Sequence, residues 1–280
     1  MSYSIHREET VSAAVRRIMD EQIARAREQF TDVAEPLEER VHNARKRFKE
    51  TRALIRLVRE PLGDQYAVEN AWFRDAGREL AAARDADAVL EALEKLELHR
   101  PTKTRFRKTL EAHRDALSSE ELETRVAHVL DQLGAAQERL ARWPELGDSF
   151  DSVASGLQRA YRGGRRAMLD AHTPEAMHEW RKLVKEHWYH VQLLRQAWPE
   201  MMKPYASVLE TLSRALGDHH DLVVLRERAG RPTPALTRAI DERQRVLDEQ
   251  ARELGRRIYA ETPKAWLTRM RRVWRAWRTS

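Results

Sequence analysis

Apolar residues recur three and four positions apart along most of the chain, which is the period of an amphipathic α-helix. Segments of helical length are separated by breaks that contain proline or glycine, such as EPLEE, REPLGD, ARWPELGDS, HTPEA and ETPKA. Two breaks have the chemistry of a helix start, since Thr173 precedes Pro174 and Thr262 precedes Pro263. No segment alternates β-branched and polar residues as a strand would. The pattern predicts an all-α chain of about ten helices.

Segment 41–59 shows two rows of side chains when it is placed on a helix of about 3.6 residues per turn. The apolar row is the predicted core face: Val41, Ala44, Phe48, Ile55 and Val58. A polar row, which we call the first stripe, lies about 100° around the helix and contains His42, Arg45, Lys49, Arg52, Arg56 and Arg59. Cations at this spacing with few acids between them repel one another. The first stripe therefore indicates an external anion rather than an ordinary solvated helix face.

The chain repeats this arrangement 136 positions later, where MHEWRKLVKE follows the pattern of VHNARKRFKE. The second core row contains Met177, Trp180, Val184, Val191 and Leu194, and the second stripe contains His178, Arg181, Lys185, Trp188, Gln192 and Arg195. Downstream, the same offset aligns Arg84 with His220 and Asp85 with Asp221. We infer an internal duplication of one helical bundle within a single 1–280 domain, with copies at 1–145 and 146–280 that divide in segment 143–148.

The composition is that of a soluble helical protein. Of 280 residues, 41% are hydrophobic and 34% are charged, and there is no cysteine for a disulfide or a thiolate. No apolar run approaches the roughly 20 residues that a membrane span needs, and the N-terminal MSYSIHREET lacks the apolar core of a secretory signal. We expect a cytosolic protein.

The formal net charge of +6 is concentrated in two places. Segment 41–59 carries seven cations against one acid, Glu50, and the C-terminal PKAWLTRMRRVWRAWRTS carries six cations and no acid. The rest of the chain is therefore net acidic. This distribution indicates a polyanionic partner: nucleic acid, anionic lipid or a phosphate polymer.

The histidines favour anion binding over metal binding. His42 and His178 each precede an arginine by one helical turn, so their imidazoles can bond a phosphate oxygen or orient that arginine. His178 and His187 diverge around the helix, and the HHD sequence that ends at Asp221 lacks further metal ligands. Asp85 and Asp221 are interpreted as structural, either capping the next helix or pairing with a motif cation.

Two H-x-x-R-K-x-x-K motifs, each followed by a Leu-x-x-x-[Arg/His]-Asp element, resemble the CHAD family, the conserved histidine α-helical domain. The resemblance implies two bundles related by pseudo-twofold symmetry and inorganic polyphosphate bound in a basic channel between them. It implies these binding residues: His42, Arg45, Lys46, Lys49, Arg52, His178, Arg181, Lys182 and Lys185. Members of the family often follow a triphosphate tunnel domain. Since the sequence shows no such segment, we expect binding without phosphohydrolase activity.

The second stripe is less charged than the first, because Trp188 and Gln192 stand where the first has Arg52 and Arg56. The second copy is therefore expected to contact fewer phosphates. Additional basic candidates lie outside the stripes: Arg165 and Arg166 after a glycine pair, Arg16 and Arg17 near the N-terminus, and Arg105 and Lys108 after Pro101.

Polyphosphate has no bases, so it needs cations and no stacking platforms, and the first stripe has no aromatic residue. The alternative is an RNA-binding protein that contacts the sugar-phosphate backbone. A phosphatase or polyphosphate kinase would need a glycine-rich phosphate loop or a metal-ligand cluster, and neither is found, so no enzyme activity and no cofactor are expected. Polyphosphate binding would serve granule targeting, storage or regulation of a partner.

The C-terminal segment permits two interpretations. On a helix, Trp266, Met270, Val273, Trp274 and Trp277 share one side, while arginines cover the remainder. Such a helix lies on a membrane surface or packs its tryptophans onto the bundle. In a chain this helical, packing is the favoured interpretation.

Overall fold

The computed structural model describes residues 3–81, 85–114 and 119–279. All regular structure within these residues is α-helical, which confirms the predicted fold class. Twelve helices are present there rather than about ten: α1 (Val11–Thr31), α2 (Leu37–Leu57), α3 (Arg59–Leu62), α4 (Gln65–Glu79), α5 (Asp85–Glu94), α6 (Arg100–Arg114), α7 (Ser119–Ala141), α8 (Asp151–Asp170), α9 (Pro174–Leu193), α10 (Pro199–Arg228), α11 (Pro234–Ile258) and α12 (Pro263–Thr279).

Side-chain caps fix the helix starts that the sequence predicted. The Thr173 hydroxyl accepts a hydrogen bond from the Ala176 amide at 3.2 Å, and α9 begins at Pro174. The Thr262 hydroxyl accepts from the Ala265 amide at 3.2 Å, at the start of α12. Each cap satisfies an amide that the helix itself leaves without a partner.

Helices α2 and α9, which carry the two stripes, also join the two halves of the chain. In the first half α2 packs on α1 and α4, and α1 packs on α7. In the second half α9 packs on α8 and α10, α10 on α11, and α12 on α8. Helix α2 contacts both α8 and α9, and the α5–α6 pair lies against α10 through α5. The stripes therefore lie beside the junction between the halves.

Every member of the two predicted core rows is buried. Around Phe48, the rings of Phe30 and Phe73 lie 6.2 Å and 5.8 Å away, centroid to centroid. In the second half, Tyr161 stacks on Trp266 at 4.7 Å. Apolar burial of this kind supplies most of the driving force for folding.

The first stripe is shorter than predicted. Helix α2 ends at Leu57, and Arg59 begins the short helix α3, with its guanidinium 4.7 Å from the centroid of the Tyr66 ring. The prediction that Arg59 continues the stripe is therefore wrong. The apolar periodicity could not detect this break, because Val58 is buried and would be buried equally well if the helix continued.

The 136-residue offset recurs in part of the architecture. Helices α2 and α9 end at Leu57 and Leu193, which keep the offset. The region that follows differs, since the first half has two helices, α4 and α5, where the second has the continuous α10. The duplication and the boundary between its copies stay predictions.

Helix α12 packs onto the bundle, as the favoured interpretation predicted. Trp266, Met270 and Trp274 are buried, and the ring of Trp274 lies 5.9 Å from that of Phe150. Its apolar side is therefore covered by protein. Across the described ranges, no helix has the length and hydropathy needed to cross a bilayer.

A close backbone approach fixes α8 against the end of α2. A Cβ atom added at Gly156 would lie 2.1 Å from the carbonyl oxygen of Leu57. Only glycine permits this contact, because the obstructing atoms belong to the backbone and cannot rotate away.

We expect Gly156→Ala to lower the free energy of unfolding by about 1–3 kcal/mol, because α8 and the end of α2 must move apart to make room for the methyl group. The matched control is Gly77→Ala in α4, where an added Cβ meets nothing within 4 Å; it should raise stability by about 0.5–1 kcal/mol. Urea unfolding measures both. Wild-type stability in Gly156→Ala would contradict the close contact.

Candidate polyanion-binding site

In each half, the arginine of the motif contacts the same repeat position in the region that follows the motif helix. Arg45 Nη1 donates to the carbonyl oxygen of Ala81, just after α4, at 3.3 Å. Arg181 lies against Gly217 of α10, where an added Cβ would be 3.2 Å from its Nε atom. Ala81 and Gly217 are themselves 136 positions apart. This agreement between two contacts supports the inferred duplication.

His178 is held beside a second histidine of α10. The ring centroids of His178 and His220 are 4.0 Å apart. Burial, and then the neighbouring His220, lower the pKa of His178 to about 4, so its imidazole is neutral at neutral pH. Arg84, which the sequence aligns with His220, lies outside the described residues.

Lys185 occupies the centre of the second stripe. It is half-buried, and its ammonium lies 3.8 Å from the centroid of the Trp188 ring and 5.2 Å from that of Tyr189. Burial, followed by the nearby charge of Arg181, lowers its pKa to about 8. Lys46 of α2 acts in the same direction, which brings a cation of the first half to the second stripe.

Arg181 and Lys46 act on Lys185 against the opposing charges of Glu210 and Glu50, which form no ion pair with it. Within the described ranges, no carboxylate oxygen lies within the 4.0 Å ion-pair distance of Lys46, Arg181 or Lys185. Arg181 and Lys46 therefore disfavour the charged form of Lys185. We call Lys46, Arg181 and Lys185 the cation cluster.

The exposed lysines of the motifs differ in their surroundings. Lys46, Lys49 and Lys182 are all exposed. Lys182 forms an ion pair with Glu179 of its own helix at 2.5 Å. Its charge is therefore partly compensated, unlike that of Lys46.

In the first stripe, Arg52 lies among further arginines. Its Nε donates to Asn70 Oδ1 at 3.3 Å, and burial together with Arg56 and Arg74 lowers its pKa to about 10. Arg74 and Arg78 belong to α4 and were not predicted to take part. The sequence did not indicate them, because the acid Asp75 makes this segment locally neutral. In the structure Asp75 pairs with Arg74 at 2.8 Å.

Arg56 is not one of the uncompensated cations that the sequence predicted. Its Nη1 donates to Glu186 Oε2 of α9 at 2.8 Å, and Glu186 is only 9% exposed. Glu50, which holds the same motif position in α2, is 6% exposed and accepts from Arg47 at 2.8 Å. Because Glu186 belongs to the second half, its ion pair with Arg56 links the two halves. These buried acids were missed as a site signal, although both copies contain them.

Two predicted arginines of α1 are held by local partners. Arg17 pairs with Glu9 at 2.5 Å and with Glu21 at 3.1 Å. Arg16 donates to the carbonyl oxygens of Leu140 and Trp143. Both side chains fix α1 to its neighbours, and the structure does not join them to the stripes.

The remaining candidates also lie elsewhere. Arg165 donates to the Tyr259 carbonyl at 3.3 Å, and Arg166 pairs with Asp170 at 3.5 Å. Helix α8, which carries them, packs on the face of α9 opposite the second stripe through Leu183. Arg105 and Lys108 are exposed on α6, which packs on α5.

The proposed capping role is wrong for Asp221, which lies inside α10 rather than at a helix start. Asp85 begins α5, but its side chain is outside the described part of the structure. Among the described residues, no three His, Cys, Asp or Glu side chains converge as metal ligands would.

We expect Arg56→Met to destabilise the protein by about 1–3 kcal/mol, because it leaves the buried Glu186 carboxylate without its partner. The double variant Arg56→Met/Glu186→Met should recover most of this loss, since no charge then remains buried. Thermal unfolding measures both. Unchanged stability in Arg56→Met would return Arg56 to the candidate phosphate ligands.

Lys185 should titrate near pH 8 in the free protein, measured from its side-chain NMR resonances with Lys185→Arg as the assignment control. Because the folded pKa is depressed, Lys185 opposes folding below pH 8, and this effect is relieved as the pH rises towards 10.5. Arg181→Gln should raise the midpoint by removing a neighbouring positive charge. A midpoint near 10.5 in the wild type would contradict the desolvated setting.

The family model of the CHAD domain matches residues 17–230 of the chain. No curated protein sequence matches the chain. The matched region includes both motif helices, α2 and α9, and the two helices α4 and α10 that follow them. The match covers most of the sequence, and the chain therefore belongs to the CHAD domain family.

Proposed function

We propose that this protein binds inorganic polyphosphate, without enzymatic activity, in a basic channel where the two stripes adjoin. The observation that carries the proposal is the cation cluster, in which Lys46 of one half and Arg181 and Lys185 of the other lack an ion-pair partner within the described residues. A row of phosphates would supply the missing negative charge. The resemblance that pointed to polyphosphate agrees with the family match.

The two stripes offer complementary chemistry to a phosphate chain. Arginines such as Arg181 present a planar fork that can bond two phosphate oxygens, whereas lysines such as Lys46 and Lys185 act as point charges. Neutral His178 can donate one hydrogen bond, and a bound anion would favour its charged form. A mobile polymer suits this mixture, because no single phosphate needs an ideal geometry.

RNA is a weaker fit to the same surface. Base stacking needs an open aromatic face, but Tyr189 is buried and one face of Trp188 is covered by the Lys185 ammonium. The other Phe, Tyr or Trp residues of the motif helices, Phe48 and Trp180, are buried in the core. The surface therefore fits a polymer that consists of phosphate alone better than one that carries bases. Association with polyphosphate granules would follow from such binding.

The test is a competition titration of the full chain with long-chain polyphosphate, short-chain polyphosphate and single-stranded RNA at two salt concentrations. Each neutralised phosphate should add roughly 0.7 to the slope of log affinity against log salt. Long-chain polyphosphate should bind most tightly at the higher salt. Equal affinity and equal slope for RNA would show a generic polyanion surface instead.

Lys46→Ala should weaken polyphosphate binding by roughly three- to tenfold and lower the salt slope by about 0.7, because it removes one phosphate contact. Its matched control is Lys264→Ala, an exposed lysine on α12 outside the family match. The control should keep wild-type affinity. An equal loss in both variants would mean that overall charge, rather than the cation cluster, sets the affinity.

A further inference from the structure

Lys185 combines accessibility with an unusual environment for an amine. Its side chain is half-buried rather than enclosed, so a small molecule can reach it. The ammonium lies over the Trp188 ring and has no carboxylate at ion-pair distance among the described residues. Cation–π contact holds the group in place without giving it a proton acceptor.

The charges around Lys185 come from three helices. Arg181 lies on its own helix α9, Lys46 and Glu50 face it from α2, and Glu210 faces it from α10. Burial and the two cations outweigh the two carboxylates, and together they lower its pKa to about 8. A substantial fraction of Lys185 is therefore an uncharged amine just above neutral pH, which is the nucleophilic form.

The same neighbours can hold the anionic end of a small electrophile. Arg181 and Lys46 act on the Lys185 amine as nearby positive charges, and neither forms an ion pair within the described residues. A phosphate group bound there would place whatever it carries beside the nucleophile. Such placement converts a chance encounter into a local reaction.

We propose that Lys185 is an acylation site whose reagent is an acyl phosphate, held through its phosphate by Arg181 and Lys46. The uncharged Nζ attacks the acyl carbon, and the bond between that carbon and the phosphate oxygen breaks. Inorganic phosphate leaves with the electron pair, and the proton lost from Nζ passes to phosphate or water. The product is an amide with no charge at Lys185. The inference rests on the proposed function only in using the same cations for an anion.

Two other lysines lack this combination. Lys182 is exposed and forms an ion pair with Glu179. Lys264 is exposed on α12, away from the cation cluster. Both serve as internal references within one molecule.

The experiment treats the full chain, without polyphosphate, with acetyl phosphate at pH 8, and follows each lysine by peptide mass spectrometry. A parallel reaction uses acetic anhydride, which has no phosphate to be held. Lys185 should be acetylated by acetyl phosphate at least about tenfold faster than Lys182 or Lys264. This preference should be larger than with acetic anhydride, and Lys46→Ala or added inorganic phosphate should reduce it.

Two results would overturn the inference. If acetyl phosphate modifies Lys185 no faster than Lys182, Lys185 is not a preferred nucleophile. If both reagents show the same preference, no phosphate is held beside it. Neither result touches polyphosphate binding, which is measured separately, and failure of polyphosphate to bind would leave the acetylation rates as they are. If the inference holds, the acetylated protein should bind polyphosphate more weakly, with a salt slope lower by about 0.7.

Discussion

The ion pair between Arg56 and Glu186 fixes the relation between the two stripes. Glu186 is almost fully buried, so its carboxylate depends on the guanidinium that α2 supplies. Three residues earlier along α2, the carbonyl oxygen of Ala53 accepts a hydrogen bond from His190 Nε2 at 2.8 Å. Burial lowers the pKa of His190, which keeps this imidazole neutral. If α9 slid along α2, the Glu186 carboxylate and the His190 imidazole would lose their partners while still buried. The two helices can therefore pack in only one register. The proximity of Lys46 to Lys185 depends on that register.

The two copies of the motif use their buried acid differently. Glu186 takes its cation from the opposite half, whereas Glu50 takes Arg47 from its own helix. Gln192 stands where α2 has Arg56, so the second copy has no arginine at this position to pair with Glu50. The same asymmetry puts Trp188 at the position of Arg52, and the indole then supports the Lys185 ammonium. Loss of two cations from the second stripe thus creates one strongly desolvated lysine.

Helical periodicity predicts what depends on one helix at a time. It identified the core rows, from Val41 to Leu194, and the threonine caps at α9 and α12, because burial and capping follow local spacing. It failed at Arg56, whose partner lies on another helix 130 positions away. It also missed Arg74, since its neighbour Asp75 makes that segment neutral in sequence. The sequence did contain a signal for the Arg56 ion pair, namely an acid repeated inside both basic motifs. A buried acid needs a cationic partner, and its own helix does not always supply one.

Lys46, Arg181 and Lys185 form no ion pair within the described residues, and this is the physical basis of the affinity that we propose for a polyanion. Burial, and then the nearby charges of Arg181 and Lys46, disfavour the Lys185 ammonium in the protein alone and lower its pKa. The cost is met during folding, by the packing of α2 against α9 and α10, rather than during binding. A ligand that brings negative charge relieves the repulsion without ordering the side chains again, which is the advantage of a preorganised site. A phosphate chain relieves it at several cations along one path, whereas a single phosphate relieves it at one place. The affinity should therefore depend on chain length because the stripes, unlike a pocket, distribute their charge along two helices.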